Sequence, residues 1–160
     1  MTGRDPEPAS GPAAADAPSG DVYEWYQRGC RLLDEGNPAA AAQLLERVAA
    51  REPEARHARE TLGRARLAAG HYAQAEADFA FLVESAPDDD YAHLGLGMAM
   101  ARQGRFVEAV EHLALAVAMR PDRDEYASQL RHVRATLHAR RQPRSSRPGV
   151  GERPGGSALA

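Results

Sequence analysis

The chain has 160 residues, 43% of them hydrophobic and 27% charged, with a formal net charge of −3. That is apolar material enough for one core, and too little positive charge to draw the chain as a whole onto nucleic acid or anionic lipid. The one cysteine, Cys30, excludes an intrachain disulfide framework.

The first residues are rich in Pro, Ala, Ser and Gly and hold almost nothing to bury, so 1–20 is expected to be disordered. They contain no apolar run that would serve as a signal-peptide core, and no stretch of the chain approaches the roughly 18 apolar residues of a membrane span. A cytoplasmic location is expected. Asp21 followed by Glu24 forms a capping-box signature, and it opens a helix that runs towards Gly36, a residue suited to the left-handed conformation that ends helices. Asn37 then stands where it would cap a second helix, with Pro38 in the first turn and Leu44, Leu45 and Val48 as its apolar stripe. Pro53 closes the unit. Segments 54–69, 72–85, 90–103 and 106–119 repeat the pair twice more, and a seventh helix is expected at about 124–141. The remainder, 142–160, is an Arg-, Pro- and Gly-bearing tail expected to be disordered.

The repetition has a fixed period. Gly29, Gly63 and Gly97 are 34 residues apart, as are Gly36, Gly70 and Gly104, Ala41, Ala75 and Ala109, and Pro53, Pro87 and Pro121. Leu45, Phe79 and Leu113 keep a large apolar residue in a further column. Glycine inside a helix costs roughly 1 kcal/mol against alanine, so Gly29, Gly63 and Gly97 predict close helix crossings, with Ala41, Ala75 and Ala109 as the small residues on the facing helices.

The period, the helix-turn-helix unit and these marks resemble the tetratricopeptide repeat family. The likeness rests on Trp25, Gly29, Gly36, Ala41, Leu45 and Pro53, then Leu62, Gly63, Gly70, Tyr72, Ala75, Phe79, Leu82 and Pro87, then Leu96, Gly97, Gly104, Phe106, Ala109, Leu113 and Pro121. It implies an all-α, right-handed α-solenoid over 21–141: repeats at about 22–55, 56–89 and 90–123, then a capping helix at about 124–141. Arg28 and Arg66 depart from the family's apolar pattern and predict looser packing between units there.

Catalytic constellations are missing. The histidines, His57, His71, His93, His112, His132 and His138, contain no His-x-x-x-His or His-Glu-x-x-His pair, so a zinc site lacks its spacing and each reads as a surface or groove side chain. Cys30 has no marked base beside it in sequence and reads as a structural or groove-lining thiol. The glycines of "GLGMAMARQG" belong to the repeat and lack the Gly-Lys-Ser/Thr of a phosphate loop. Asp88, Asp89 and Asp90 fit helix capping better than a calcium loop. No cofactor, no metal, no small-molecule substrate and no membrane are expected, and the chain reads as a non-enzyme.

Stacked helical hairpins bury one side and leave a concave surface for a guest. If first helices face inward, as the resemblance implies, the exposed inner positions are Tyr23, Tyr26, Cys30, His57, Glu60, Arg64, Tyr91, Leu94, Met98 and Arg102, with Ser128 and His132 from the last helix. Aromatic and Arg side chains are enriched at binding hot spots. Some family members hold a partner's C-terminal carboxylate with Lys and Asn; this chain has no Lys, and its one Asn, Asn37, is at a turn. The expected function is a protein-binding adaptor for a peptide or amphipathic helix. The alternatives are a small chaperone for one client, or a nucleic-acid-associated regulator acting through the Arg tail. Charge favours the last only locally: residues 1–130 carry 22 acidic against 13 basic side chains, a net of −9, while residues 131–160 carry seven Arg against one Glu, a net of +6. With no aromatics interleaved, nucleic acid is not the expected partner.

Overall fold

The computed structural model describes residues 20–142. The terminal segments expected to be disordered lie outside the described residues apart from Gly20 and Gln142. Seven helices follow one another among the described residues: α1 (Val22–Asp34), α2 (Pro38–Arg51), α3 (Arg56–Ala68), α4 (Tyr72–Ser85), α5 (Asp90–Arg102), α6 (Phe106–Met119) and α7 (Asp124–Arg141), with no strand. They form an all-α helical repeat of three hairpins and a final helix.

Local chemistry sets the ends. Asp21 Oδ1 accepts from the Glu24 backbone N–H at 2.8 Å and Glu24 Oε2 from the Asp21 N–H at 3.2 Å, so the capping box is closed both ways. Asp89 caps α5 by accepting from the Ala92 N–H at 2.9 Å. Inside each hairpin Gly36, Gly70 and Gly104 take φ of +79°, +83° and +82°. This lets the next residue's N–H turn back: Asn37 to Leu32, His71 to Arg66 and Arg105 to Met100, at 2.8, 2.8 and 3.0 Å. Asn37 does not cap α2 with its side chain, contrary to expectation. This reversal leaves it at ψ 60°, as it leaves His71 at 62° and Arg105 at 65°, outside the extended conformation from which a cap reaches the first turn. Between hairpins, Pro53, Pro87 and Pro121 hold Glu52, Ala86 and Arg120 out of the helical region.

The predicted crossings are close. Ala41, Ala75 and Ala109 and their column partners Leu45, Phe79 and Leu113 are fully buried. A Cβ on Gly29 would stand 2.7 Å from Leu45 Cγ, one on Gly63 3.1 Å from the Phe79 ring, and one on Gly97 2.8 Å from Leu113 Cγ and 3.0 Å from the Ala109 carbonyl oxygen. Each mid-helix glycine is the space that a large residue of the facing helix occupies.

A second contact recurs at every hairpin with different chemistry. Trp25 and Leu44 share one apolar cluster, Arg59 pairs with Asp78 at 3.4 Å, and His93 Nδ1 meets His112 Nδ1 at 3.0 Å; successive pairs are 34 residues apart. Asp78 is only 2% exposed and is held also by Arg66 at 2.7 Å, while Arg66 reaches Glu46 of α2 at 2.9 Å. Burial pushes the Asp78 carboxyl above the ordinary carboxylate range against the pull of Arg66 and Arg59. Arg66 therefore ties the first two hairpins together, and the looser packing expected there is not found: its charge is neutralised where an apolar side chain would have packed. Arg28 is exposed at the free end of the first hairpin, beside Leu32, Gln43 and Leu44, where no preceding hairpin among the described residues stacks on it. His93, expected at the surface, is 5% exposed.

Curvature follows from which helices touch. Each helix packs on the next, and in addition α1 meets α3, α3 meets α5 and α5 meets α7, while α2 and α4, and α4 and α6, make no such contact. First helices are drawn together on the inside of the bend. The inner surface is thus made of α1, α3, α5 and α7.

Candidate functional site

The inner face holds two adjoining hollows. One, about 320 Å³, is lined by Leu33, Arg64, Leu67, Ala68, Tyr91, Met98 and Arg102. The other, about 370 Å³, is lined mainly by Met98, Arg102, Phe106, Gln129, His132 and Thr136. Met98 and Arg102 border both, so the hollows run together as one trough from α3 across α5 to α7.

Of the residues expected at a partner-binding surface, Arg64, Tyr91, Met98 and Arg102 line the first hollow and His132 the second. Tyr91 is half-buried, edge-on to Phe79 with ring centroids 6.3 Å apart. Burial raises its hydroxyl above the ordinary tyrosine value, with Arg64 opposing the rise and Glu60 adding to it. The Arg102 guanidinium lies over the Tyr72 ring at 5.6 Å, which holds the side chain at the rim without neutralising it.

The others sit elsewhere on the inner helices. Tyr26 is edge-to-face with His57 at 5.0 Å, and Thr61 Oγ donates to the His57 carbonyl at 2.9 Å. With that proton committed, the Tyr26 hydroxyl is the donor in its 3.2 Å bond to Thr61. Cys30 interacts with Tyr26. Glu60 is half-buried; desolvation first, and then Asp89, raises its carboxyl above the usual value, while Arg64 and Arg56 oppose this. Leu94 packs against the core cluster of α4 to α7. Tyr23 is 67% exposed, and Ser128 is exposed on α7. None of these lines either hollow.

Leu33, Leu67 and Ala101 line the trough without having been expected there. They form one column, 34 residues apart, each three residues after Cys30, Arg64 and Met98. The signal was the helical neighbour one turn on: the inner stripe continues into the last turn of each first helix. Among the described residues no three His, Cys, Asp or Glu side chains are grouped so as to hold a metal ion, and no helix is long and apolar enough to cross a membrane.

Comparison with known proteins agrees with this architecture. Two sequence models of the tetratricopeptide repeat match residues 60–124 and 32–77. No curated protein sequence matches the chain significantly. Among solved structures the chain is similar to MamA (41-end) from Desulfovibrio magneticus RS-1, with 24% identity over 74% of this chain and 67% of that one and a TM-score of 0.69. It is similar to TTC0263, a thermophilic TPR protein of Thermus thermophilus, with 23% identity over 75% and 68% of the two chains and a TM-score of 0.66. A third is the first TPR of Spaghetti (RPAP3) bound to the HSP90 peptide SRMEEVD, with 17% identity over 73% and 93% and a TM-score of 0.67. With its 34-residue period, its three helical hairpins and these matches, the chain belongs to the tetratricopeptide repeat family.

Proposed function

We propose that the chain is a non-enzymatic adaptor, acting in the cytoplasm, whose repeat region over 21–141 holds a segment of another protein in the trough along α3, α5 and α7. The observation that carries this reading is the continuity of the trough through Met98 and Arg102, which gives a guest several consecutive places to lie. Leu33, Leu67, Tyr91 and Met98 offer apolar contact, and each apolar guest side chain fully buried there contributes roughly 1.5 to 3 kcal/mol. Arg64 and Arg102, both exposed, offer planar guanidinium forks to a carboxylate. The HSP90 peptide SRMEEVD held by the Spaghetti (RPAP3) repeat supports a peptide segment with acidic residues as the kind of guest. Since the chain has no Lys and Asn37 sits at a hairpin turn, an acidic group in this trough falls to the two arginines.

The test is affinity capture from native cells with the full chain and with an Arg64→Glu, Arg102→Glu variant. Both side chains are exposed, so the far-UV helical signal should be unchanged. At least one partner held by the natural chain should fall about tenfold or more in yield, in line with reversing a charge-assisted contact. Equal capture by both proteins removes the concave face from the reading.

A further inference from the structure

The outer face of α7 carries basic side chains with no acidic residue among them. Arg131, Arg134, His138 and Arg141 follow the helical spacing of one stripe, about 15 Å long, and all four are exposed. The same spacing turns them away from Gln129, His132 and Thr136, which line the trough. Several arginines elsewhere find carboxylates: Arg56 with Asp89, Arg66 with Asp78 and Glu46, Arg105 with Glu108, Arg120 with Asp122 and Arg123 with Glu125, while Arg28 and Arg31 on α1 and Arg64 and Arg102 at the trough do not among the described residues. Arg131, Arg134 and Arg141 form no ion pair among the described residues, and Arg140 instead lies over the Phe106 ring at 4.5 Å. The sequence keeps acid away from them, because no Asp or Glu occurs from Tyr126 to Gly151 while Arg144 and Arg147 continue the basic run.

Solvation alone does not call for this, since mixed charges cap a solenoid without self-repulsion. We infer that the outer face of α7 binds the phosphate backbone of duplex nucleic acid without reading its bases. The stripe supplies charge and little anchor: its exposed apolar neighbours are alanines, Ala135 and Ala139, and the one larger apolar side chain beside it, Leu137, is partly buried. A membrane-surface helix needs Trp, Phe or Leu to insert, and a protein interface needs apolar or aromatic anchors to bury. A phosphate backbone needs neither, and Arg matches it with two parallel N–H donors. Along 15 Å a strand presents about four phosphates. The net −9 of residues 1–130 is repelled by the same polyanion, so contact is confined to the α7 end and leaves the trough open to its own guest.

The experiment measures binding of the full chain to a fluorescent 20-base-pair duplex of arbitrary sequence between 50 and 200 mM salt. Three variants are compared: Arg131→Glu with Arg134→Glu; the milder Arg131→Gln with Arg134→Gln; and Arg28→Glu with Arg31→Glu on α1, all checked for helical content. The natural chain and the α1 variant should bind with the same salt dependence. Both α7 variants should bind about tenfold or more weakly, with the logarithmic salt slope reduced by about two. Absence of duplex binding at 50 mM salt overturns the inference, as does equal weakening by the α1 and α7 reversals. Equally tight binding to vesicles containing phosphatidylserine, or to polyglutamate, also overturns it, by assigning the stripe to lipid or to acidic protein.

Discussion

Gly95 provides a sharp test of how the repeats are packed. It lies outside the column of Gly29, Gly63 and Gly97, and a Cβ there would stand 2.5 Å from Phe79 Cδ1 and nearer still to two other ring carbons. The Phe79 ring is fully buried and on its other edge already lies so near Gly63 that a Cβ there would stand 3.1 Å from it, so the ring has little room to retreat. Gly95→Ala gains about 1 kcal/mol of helix propensity but forces an overpacking that costs about 2 to 3 kcal/mol, for a net loss of about 1 to 2. The corresponding positions are Leu45 with Thr61 and Leu113 with Gln129: where leucine replaces the ring, glycine is not needed. Phe79→Leu alone should cost about 1 to 2 kcal/mol for the space it leaves. With the ring gone, the added methyl fits, and Phe79→Leu with Gly95→Ala should be about 2 kcal/mol more stable than the sum of the single changes. Urea unfolding followed by far-UV circular dichroism gives all four corners of the cycle, with a constant m-value as the check on a common unfolded state. Additivity within about 0.5 kcal/mol, or a Gly95→Ala protein more stable than the natural one, would refute the packing account.

The ion pairs and the histidine pair make further predictions. Asp78→Ala leaves Arg59 and Arg66 facing each other without their carboxylate, and should cost about 2 to 3 kcal/mol, somewhat below a wholly buried pair because Arg66 keeps Glu46; Glu46→Gln, at a side chain 62% exposed, should cost under about 1 kcal/mol. Equal shifts of the urea midpoint would remove Asp78 from its place as the centre of that cluster. His112 is held below the ordinary histidine value first by burial and then by His93 and Arg105, with Glu111 and Glu76 opposing. The unfolded chain therefore binds the proton more readily. Stability from this residue is complete above about pH 6.5 and is lost as pH falls through and below that value. Asp78 and Glu60, whose values are raised, contribute the opposite slope. The readout is thus a difference: His112→Gln should be less sensitive than the natural chain between pH 7.5 and 5.5, and identical slopes would show that His112 does not titrate across that transition.

The turns and the crossings of the glycine column were legible in the sequence, whereas Gly95, credited there to the repeat, stands alone between Thr61 and Gln129 and answers to the Phe79 ring. The turn glycines need one conformation, and the crossing needs an absent side chain opposite a large one, so Gly36, Gly70 and Gly104, or Gly97 opposite Leu113, are recognisable by identity. The positions that misled expectation are those where a contact is kept while its chemistry changes. Read alone, Arg66 is a charge where an apolar residue belongs and His93 is an unremarkable histidine. Their partners lie 12 and 19 residues away on the next helix, at Asp78 and His112, and no single column shows the complementarity. Asn37 misled for another reason, because the backbone reversal at Gly36 takes precedence over a side-chain cap.

The same contrast separates scaffold from trough. At the slot filled by Trp25 with Leu44, Arg59 with Asp78 and His93 with His112, each hairpin solves one geometric problem with a self-contained pair, and the residues vary because any matched pair suffices. The inner columns vary without such matching: Cys30, Arg64 and Met98 share one position, and Asp34, Ala68 and Arg102 another. Arg64, Ala68, Met98 and Arg102 of these columns line the trough, Cys30 and Asp34 do not, and the fold imposes no common residue type on either column. What repeats at the crossings and turns builds the solenoid, while Arg64, Ala68, Met98 and Arg102 in the trough do not repeat, although Leu33 and Leu67 beside them do. An Arg102→Glu change is therefore expected to leave stability nearly untouched while altering capture, whereas Gly97→Leu, meeting Leu113 and the Ala109 carbonyl, should do the reverse through the fold itself.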